Sequence, residues 1–237
     1  FSGADAAALG GDPGTRYHLC LNVVAMGDLN SVDVAQATHE GVLTASGCLA
    51  AAEKLEYGNP VPRSSVWEGV YVDDHLVVGI VPKHKVADES GPDYDLILRS
   101  REGYKSWELP TSDKKSYTLQ KKFVAWGTEV DSDKGTAAAP LDRRIQLFYL
   151  TLLVLSGPGI TLKMFQSLLG SYVHPFSHRK ELMCVFSRSY RWLQTLSLGR
   201  VYKVPQDIRD ELLGAALVLP CAHADIRASL SSTLTCS

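Results

Sequence analysis

Two adjacent carboxylates, Asp73 and Asp74, stand in the run Val70-Tyr71-Val72-Asp73-Asp74-His75-Leu76-Val77-Val78-Gly79-Ile80-Val81. Side by side they repel unless positive charge lies next to them. Oxygen-only donors suit a hard divalent cation, Mg²⁺ first, or Mn²⁺ in its place. The plainer reading is a solvated hairpin with an acidic turn, because Asp is a common turn residue. Apolar and β-branched residues on both sides predict strand, tight turn, strand. Buried-looking strands entering and leaving the turn favour a metal site over a decorative turn.

The elements that position these acids follow from the flanking patterns. Residues 17–26 form a strand candidate, broken by Gly27-Asp28-Leu29-Asn30. Asn30 or Ser31 can cap a helix over 32–46, with Val32, Ala35, His39, Val42 and Leu43 on one face and Gly47 as its stop. Residues 88–106 read as a charged helix with irregular flanks, and 107–116 as a turn ending in Lys114-Lys115. Residues 123–130 alternate like one strand, and Asp131-Ser132-Asp133-Lys134-Gly135 makes a hairpin-type turn. From Leu141 the periodicity becomes helical. Leu141, Ile145, Phe148, Leu152 and Leu155 mark one helix, ended by Gly157-Pro158-Gly159. Thr161 caps a second helix that reaches Gly170, and a third runs from about residue 178 to 196. A short helix over 208–219 and an extended tail from 225 complete the chain.

Composition is that of an ordinary globular protein, 45% hydrophobic and 21% charged over 237 residues. The net charge of −2 hides a polarity. Residues 1–110 carry 8 Lys/Arg against 16 Asp/Glu, whereas 141–203 carry 9 basic residues against Asp142 and Glu181. An acidic part for metal and a basic part for a phosphate backbone is a sensible division, although charge blocks are also ordinary solvated faces. The five cysteines (Cys20, Cys48, Cys184, Cys221, Cys236) show no Cys-x-x-Cys pair and suggest free thiols in a reducing compartment. No apolar run is long enough to cross a bilayer, and no signal peptide opens the chain. His174 and His178 are spaced like half a zinc site, but no suitable cysteine pair completes it, which favours a structural loop.

Tyr71-Val72-Asp73-Asp74 resembles the signature hairpin of reverse transcriptases, in the palm of right-hand polymerases. Other stretches resemble that family's motifs in the same order along residues 17–200. Gly27, Asn30 and Gln36 match the glycine, asparagine and glutamine of its second motif, with departures at Ala25 (usually proline) and Ala35 (usually aromatic). Residues 107–116 resemble the palm turn with paired lysines, Trp126-Gly127 the aromatic–glycine pair of the primer grip, and Leu169-Gly170-Ser171-Tyr172 a thumb segment of retrotransposon enzymes.

The resemblance implies an α+β fold: a partial palm over 1–135, a helical thumb over 136–205, and a connector over 206–237 towards a ribonuclease-H-like domain. It implies RNA-directed DNA synthesis, with Asp73 and Asp74 as catalytic metal ligands. Lys115 is then the candidate general acid at the departing pyrophosphate, with Lys114 as its runner-up. Gly27, Asn30, Gln36, Tyr71 and Val72 position template and nucleotide, and Trp126 and Gly127 support the primer end. Arg179, Lys180, Arg188 and Arg191 meet the nucleic-acid backbone. Plainer readings remain for Gln36 (an exposed polar helix residue), the lysines (a solvated pair) and Trp126 (core packing). The implied partners are a primed RNA or DNA template, deoxynucleoside triphosphates and the remainder of a retroelement polyprotein, inside the cell in cytoplasm or nucleus, with no membrane. The family's first-motif aspartate falls before Phe1, and neither Asp5 nor Asp12 takes its place, so the isolated chain is expected to be inactive. The alternative is a degenerate, non-catalytic fragment that at most binds duplex through its basic helices.

Overall fold

The computed structural model describes residues 10–12, 14–15, 30–112, 114 and 116–228. The strand expected over 17–26, Gly27 and Lys115 lie outside the described residues. The fold is mixed α+β, with small antiparallel sheets and, among the described residues, six α-helices. It divides into two compact units, Phe1–Lys115 and Ser116–Ser237. The sequence puts the first boundary at residue 135. Packing instead groups the Trp126 hairpin with the helices that follow it.

In the first unit, helix α1 (Ser31–Ala45) precedes strands β1 (Val66–Tyr71) and β2 (Asp74–Gly79), and α2 (Pro92–Ser106) follows. Asn30 occupies the N-cap position of α1 but makes no side-chain cap; its carbonyl accepts from the Val34 amide. Val32 is exposed, so the expected face starts later, at His39, Val42 and Leu43. The helix stops where expected. Gly47 has φ +76°, its N–H donates to the Thr44 carbonyl, and the Cys48 N–H donates to Leu43, which together make a Schellman cap.

The strands pair antiparallel from Val66 with Gly79 to Tyr71 with Asp74, leaving Val72 and Asp73 as the turn. Alternation puts Val66, Glu68, Val70, His75 and Val77 on the inner face. There Val66 packs with Leu43, Cys48, Leu49 and Leu96, flanked by Val70, Val77 and Tyr104. At the contact of α1 with α2 a Cβ on Gly103 would collide with Ser46, so this glycine is what lets the helices approach.

In the second unit β3 (Lys122–Ala125), β4 (Thr128–Asp131), β5 (Thr136–Ala138) and β8 (His223–Asp225) form one antiparallel sheet. The run expected as one strand over 123–130 is a hairpin. Trp126 (φ +50°) and Gly127 (φ +74°) form its two-residue turn, with the sign pattern of type I′. The turn expected after it is present, with the Asp131 carboxylate accepting from the Lys134 amide at 2.9 Å and Gly135 at φ +70°.

Helices α3 (Leu141–Ser156), α4 (Leu162–Ser177), α5 (Ser187–Leu193) and α6 (Gln206–Val218) supply the core, and β6 (Ile160–Thr161) pairs with β7 (Val201–Tyr202). Its centre is Phe165, Tyr172, Phe176, Phe186, Ile208 and Leu212. The buried face of α3 is Leu147, Thr151 and Leu155, whereas Leu141 and Ile145 of the expected face are exposed. Thr161 caps α4 as expected, its Oγ1 accepting from the Met164 N–H at 3.3 Å. The helix does not end at Gly170, because burial of Tyr172 and Phe176 carries it about two turns further, to Ser177. The expected third helix is divided into a 3₁₀ segment, Lys180–Phe186, and α5. Glu211 makes the division by accepting from the N–H groups of Arg188 and Ser189, a side-chain cap for a new helix start.

Candidate metal-binding hairpin

Val72 carries the conformational cost of the Asp-Asp turn. Its φ is +54°, while Asp73 is not among the residues with positive φ, the sign pattern of a type II′ turn. Glycine usually occupies that first central position. A β-branched residue there is strained by about 1–3 kcal/mol.

Helix α1 supplies the offset. The Val72 N–H donates to Gln36 Oε1 at 2.6 Å, and Gln36 Nε2 donates to the Val70 carbonyl at 3.2 Å and to Glu40 Oε1 at 2.6 Å. The neighbouring N–H, carbonyl and carboxylate fix which way the Gln36 amide faces. His39, one turn on, donates from Nδ1 to the Val72 carbonyl at 2.9 Å. A carbonyl can only accept, so His39 Nε2 is left to accept from the Tyr104 hydroxyl at 2.8 Å. Three side-chain hydrogen bonds to the hairpin backbone, at about 1 kcal/mol each, match the strain in size.

A second buried pair lies on the inner face. Glu68 is fully buried, with Oε1 accepting from His75 Nε2 at 2.8 Å and Oε2 from the Leu49 N–H at 2.5 Å. The rings of His39, His75 and Tyr104 meet edge-on or tilted, with centroids 5.5–6.3 Å apart. Burial, then the negative charge of Glu68, pushes the neighbouring Cys48 thiol up to about 11. Glu40 is held below the usual carboxylate range by its hydrogen bond from Gln36 and by Lys54, 3.1 Å away.

Asp73 and Asp74 are both exposed. The tip offers the two carboxylates as oxygen donors, while the Val72 carbonyl already accepts from His39. Among the described residues no three His, Cys, Asp or Glu side chains converge as a metal cage. Two carboxylates completed by water and substrate phosphate is nevertheless a common way of holding Mg²⁺, so the donor set fits a hard cation.

The structure thus brings together Gln36, Tyr71, Val72, Asp73 and Asp74. Asn30 stands six residues before Gln36, at the start of the same helix. Lys114 lies in an exposed turn. In the second unit Trp126 and Gly127 form a hairpin tip whose next residue, Thr128, bonds to His178 Nε2 at 3.0 Å. His174 is helical rather than in a loop, and its ring meets that of His178 with centroids 5.2 Å apart.

Arg179, Lys180, Arg188 and Arg191 are exposed. The positive balance read over 141–203 is diluted in space, because α6 sets Asp207 3.9 Å from Arg188 and Glu211 against its backbone.

Sequence reasoning missed His39, Tyr104, Glu68 and His75 as participants. The one signal available was the spacing of Gln36, His39, Glu40 and Leu43, which share a helix face. No helix among the described residues is long and apolar enough to cross a membrane. Compared with models of known families, with curated proteins and with solved structures, the chain matches none.

Proposed function

We propose that this chain is part of a retrotransposon reverse transcriptase, with residues 1–115 contributing to a palm and the basic helices of the second unit to a thumb. The observation carrying this reading is the Asp73–Asp74 tip, exposed and braced from α1 in a strained turn. Strain of this kind gathers at functional sites. A divalent cation, when bound, activates a primer 3′-hydroxyl and neutralises charge on the attacking and leaving oxygens of nucleotidyl transfer. Asp73 and Asp74 hold it; Gln36 and the Val72 peptide fix where they stand. The resemblance gives Trp126 and Gly127 the role of a primer grip and Lys115 that of general acid to the leaving pyrophosphate.

Titration of the chain with Mn²⁺, followed by water-proton relaxation, tests the reading. Binding that is weakened in Asp73→Asn and Asp74→Asn supports it, and binding indifferent to both substitutions rejects it.

The exposed pair Arg188 and Arg191, one turn apart on α5, favours duplex binding without catalysis as a second reading. It predicts sequence-independent affinity for duplex that falls with salt and with neutralisation of both arginines.

A further inference from the structure

We infer that His39, backed by Tyr104, is a positioning residue for the Asp-Asp tip, a role that rests on the metal-binding reading above. Gln36 and His39 grip opposite ends of one residue: the N–H of Val72 and its carbonyl. Together they hold its left-handed φ, and Asp73 and Asp74 follow directly in the chain.

The grip is directional. The Tyr104 hydroxyl has its acceptor in His39 Nε2, which keeps the ring proton on Nδ1 facing the Val72 carbonyl. His39 is 6% exposed and Tyr104 half-buried, so water competes poorly for either bond. A histidine that only filled space would need neither hydrogen bond. His39 touches no reacting atom; it acts through the turn peptide.

The test uses the full chain with two readouts: hydrogen exchange of the Val72 amide, and Mn²⁺ affinity by water-proton relaxation. His39→Phe keeps a ring but removes the donor. It should speed Val72 exchange and weaken Mn²⁺ binding by about tenfold. Tyr104→Phe, the gentler variant, removes one hydroxyl and should move both readouts in the same direction by less. In a Val72→Gly background, where positive φ needs no support, His39→Phe should weaken Mn²⁺ binding much less.

Unchanged Val72 exchange and Mn²⁺ affinity in both ring variants would overturn the role, even if thermal stability fell. Should Asp73→Asn leave Mn²⁺ binding intact, the metal reading fails by itself, and Val72 exchange still decides whether His39 sets the turn.

Discussion

The buried carboxylate of Glu68 on β1 lies 2.8 Å from Nε2 of His75 on β2, a diagonal pair on the inner face of the hairpin that carries Asp73 and Asp74. Glu68 is fully buried and the His75 side chain only 10% exposed. Removing one partner strands the other in a poorly solvated place. Glu68→Ala should therefore destabilise the first unit by about 3–5 kcal/mol in urea unfolding. Glu68→Gln should cost much less, because a neutral His75 can present a bare Nε2 to the new amide. Equal losses for the two variants would mean that the pair is not the stabilising element.

Thr151 and Tyr172 make an asymmetric prediction in the second unit. Thr151 donates to the Leu147 carbonyl at 2.8 Å, so at their 2.7 Å contact the Tyr172 hydroxyl is the donor. Tyr172→Phe leaves Thr151 with a partner and should cost about 0.5–1.5 kcal/mol. Thr151→Val orphans a buried phenol and should cost about 1–3 kcal/mol, and adding Tyr172→Phe should recover part of that loss. A double-mutant cycle by chemical denaturation measures the difference.

The cysteines should separate by reactivity. Cys48 is buried and its thiol is pushed up to about 11, while Cys184 and Cys221 are exposed. Because the thiolate is the nucleophile, iodoacetamide near neutral pH should label Cys184 and Cys221 well before Cys48. Peptide mapping after a short pulse reads this, and early labelling of Cys48 would contradict the packing described.

His178 gives the second unit a pH dependence of known sign. Burial, and then the charges of His174 and Arg144, hold it below its ordinary 6.5, against opposing hydrogen bonds to the Pro175 and His174 carbonyls. A lowered folded pKa means the unfolded chain binds more protons in this range. The stability His178 contributes is therefore complete above about pH 6.5 and lost as pH falls through the lowered value. Thermal unfolding between about pH 5 and 7.5 should show this slope, and His178→Asn should flatten it.

The sequence made the first hairpin legible because β-branched residues flank an acidic turn, and local chemistry alone dictates that pattern. The second hairpin was hidden: Trp126-Gly127 lies inside an alternating run, and its turn shows only in the paired positive φ values. Gly170 read as a stop, but Tyr172 and Phe176 beyond it are buried, and tertiary packing outweighs the cost of a helical glycine. The brace on the turn was illegible for another reason. His39 meets Val72 and Tyr104 across 33 and 65 residues of chain, and no local pattern encodes contacts of that range.

Under the proposed function, Asp73 and Asp74 serve metal-dependent nucleotidyl transfer. Primer extension on a primed RNA template with Mg²⁺ and deoxynucleoside triphosphates, by a longer protein that carries this chain, decides it. Extension is expected from that protein and none from its Asp73→Asn variant. Extension undiminished by Asp73→Asn would contradict it.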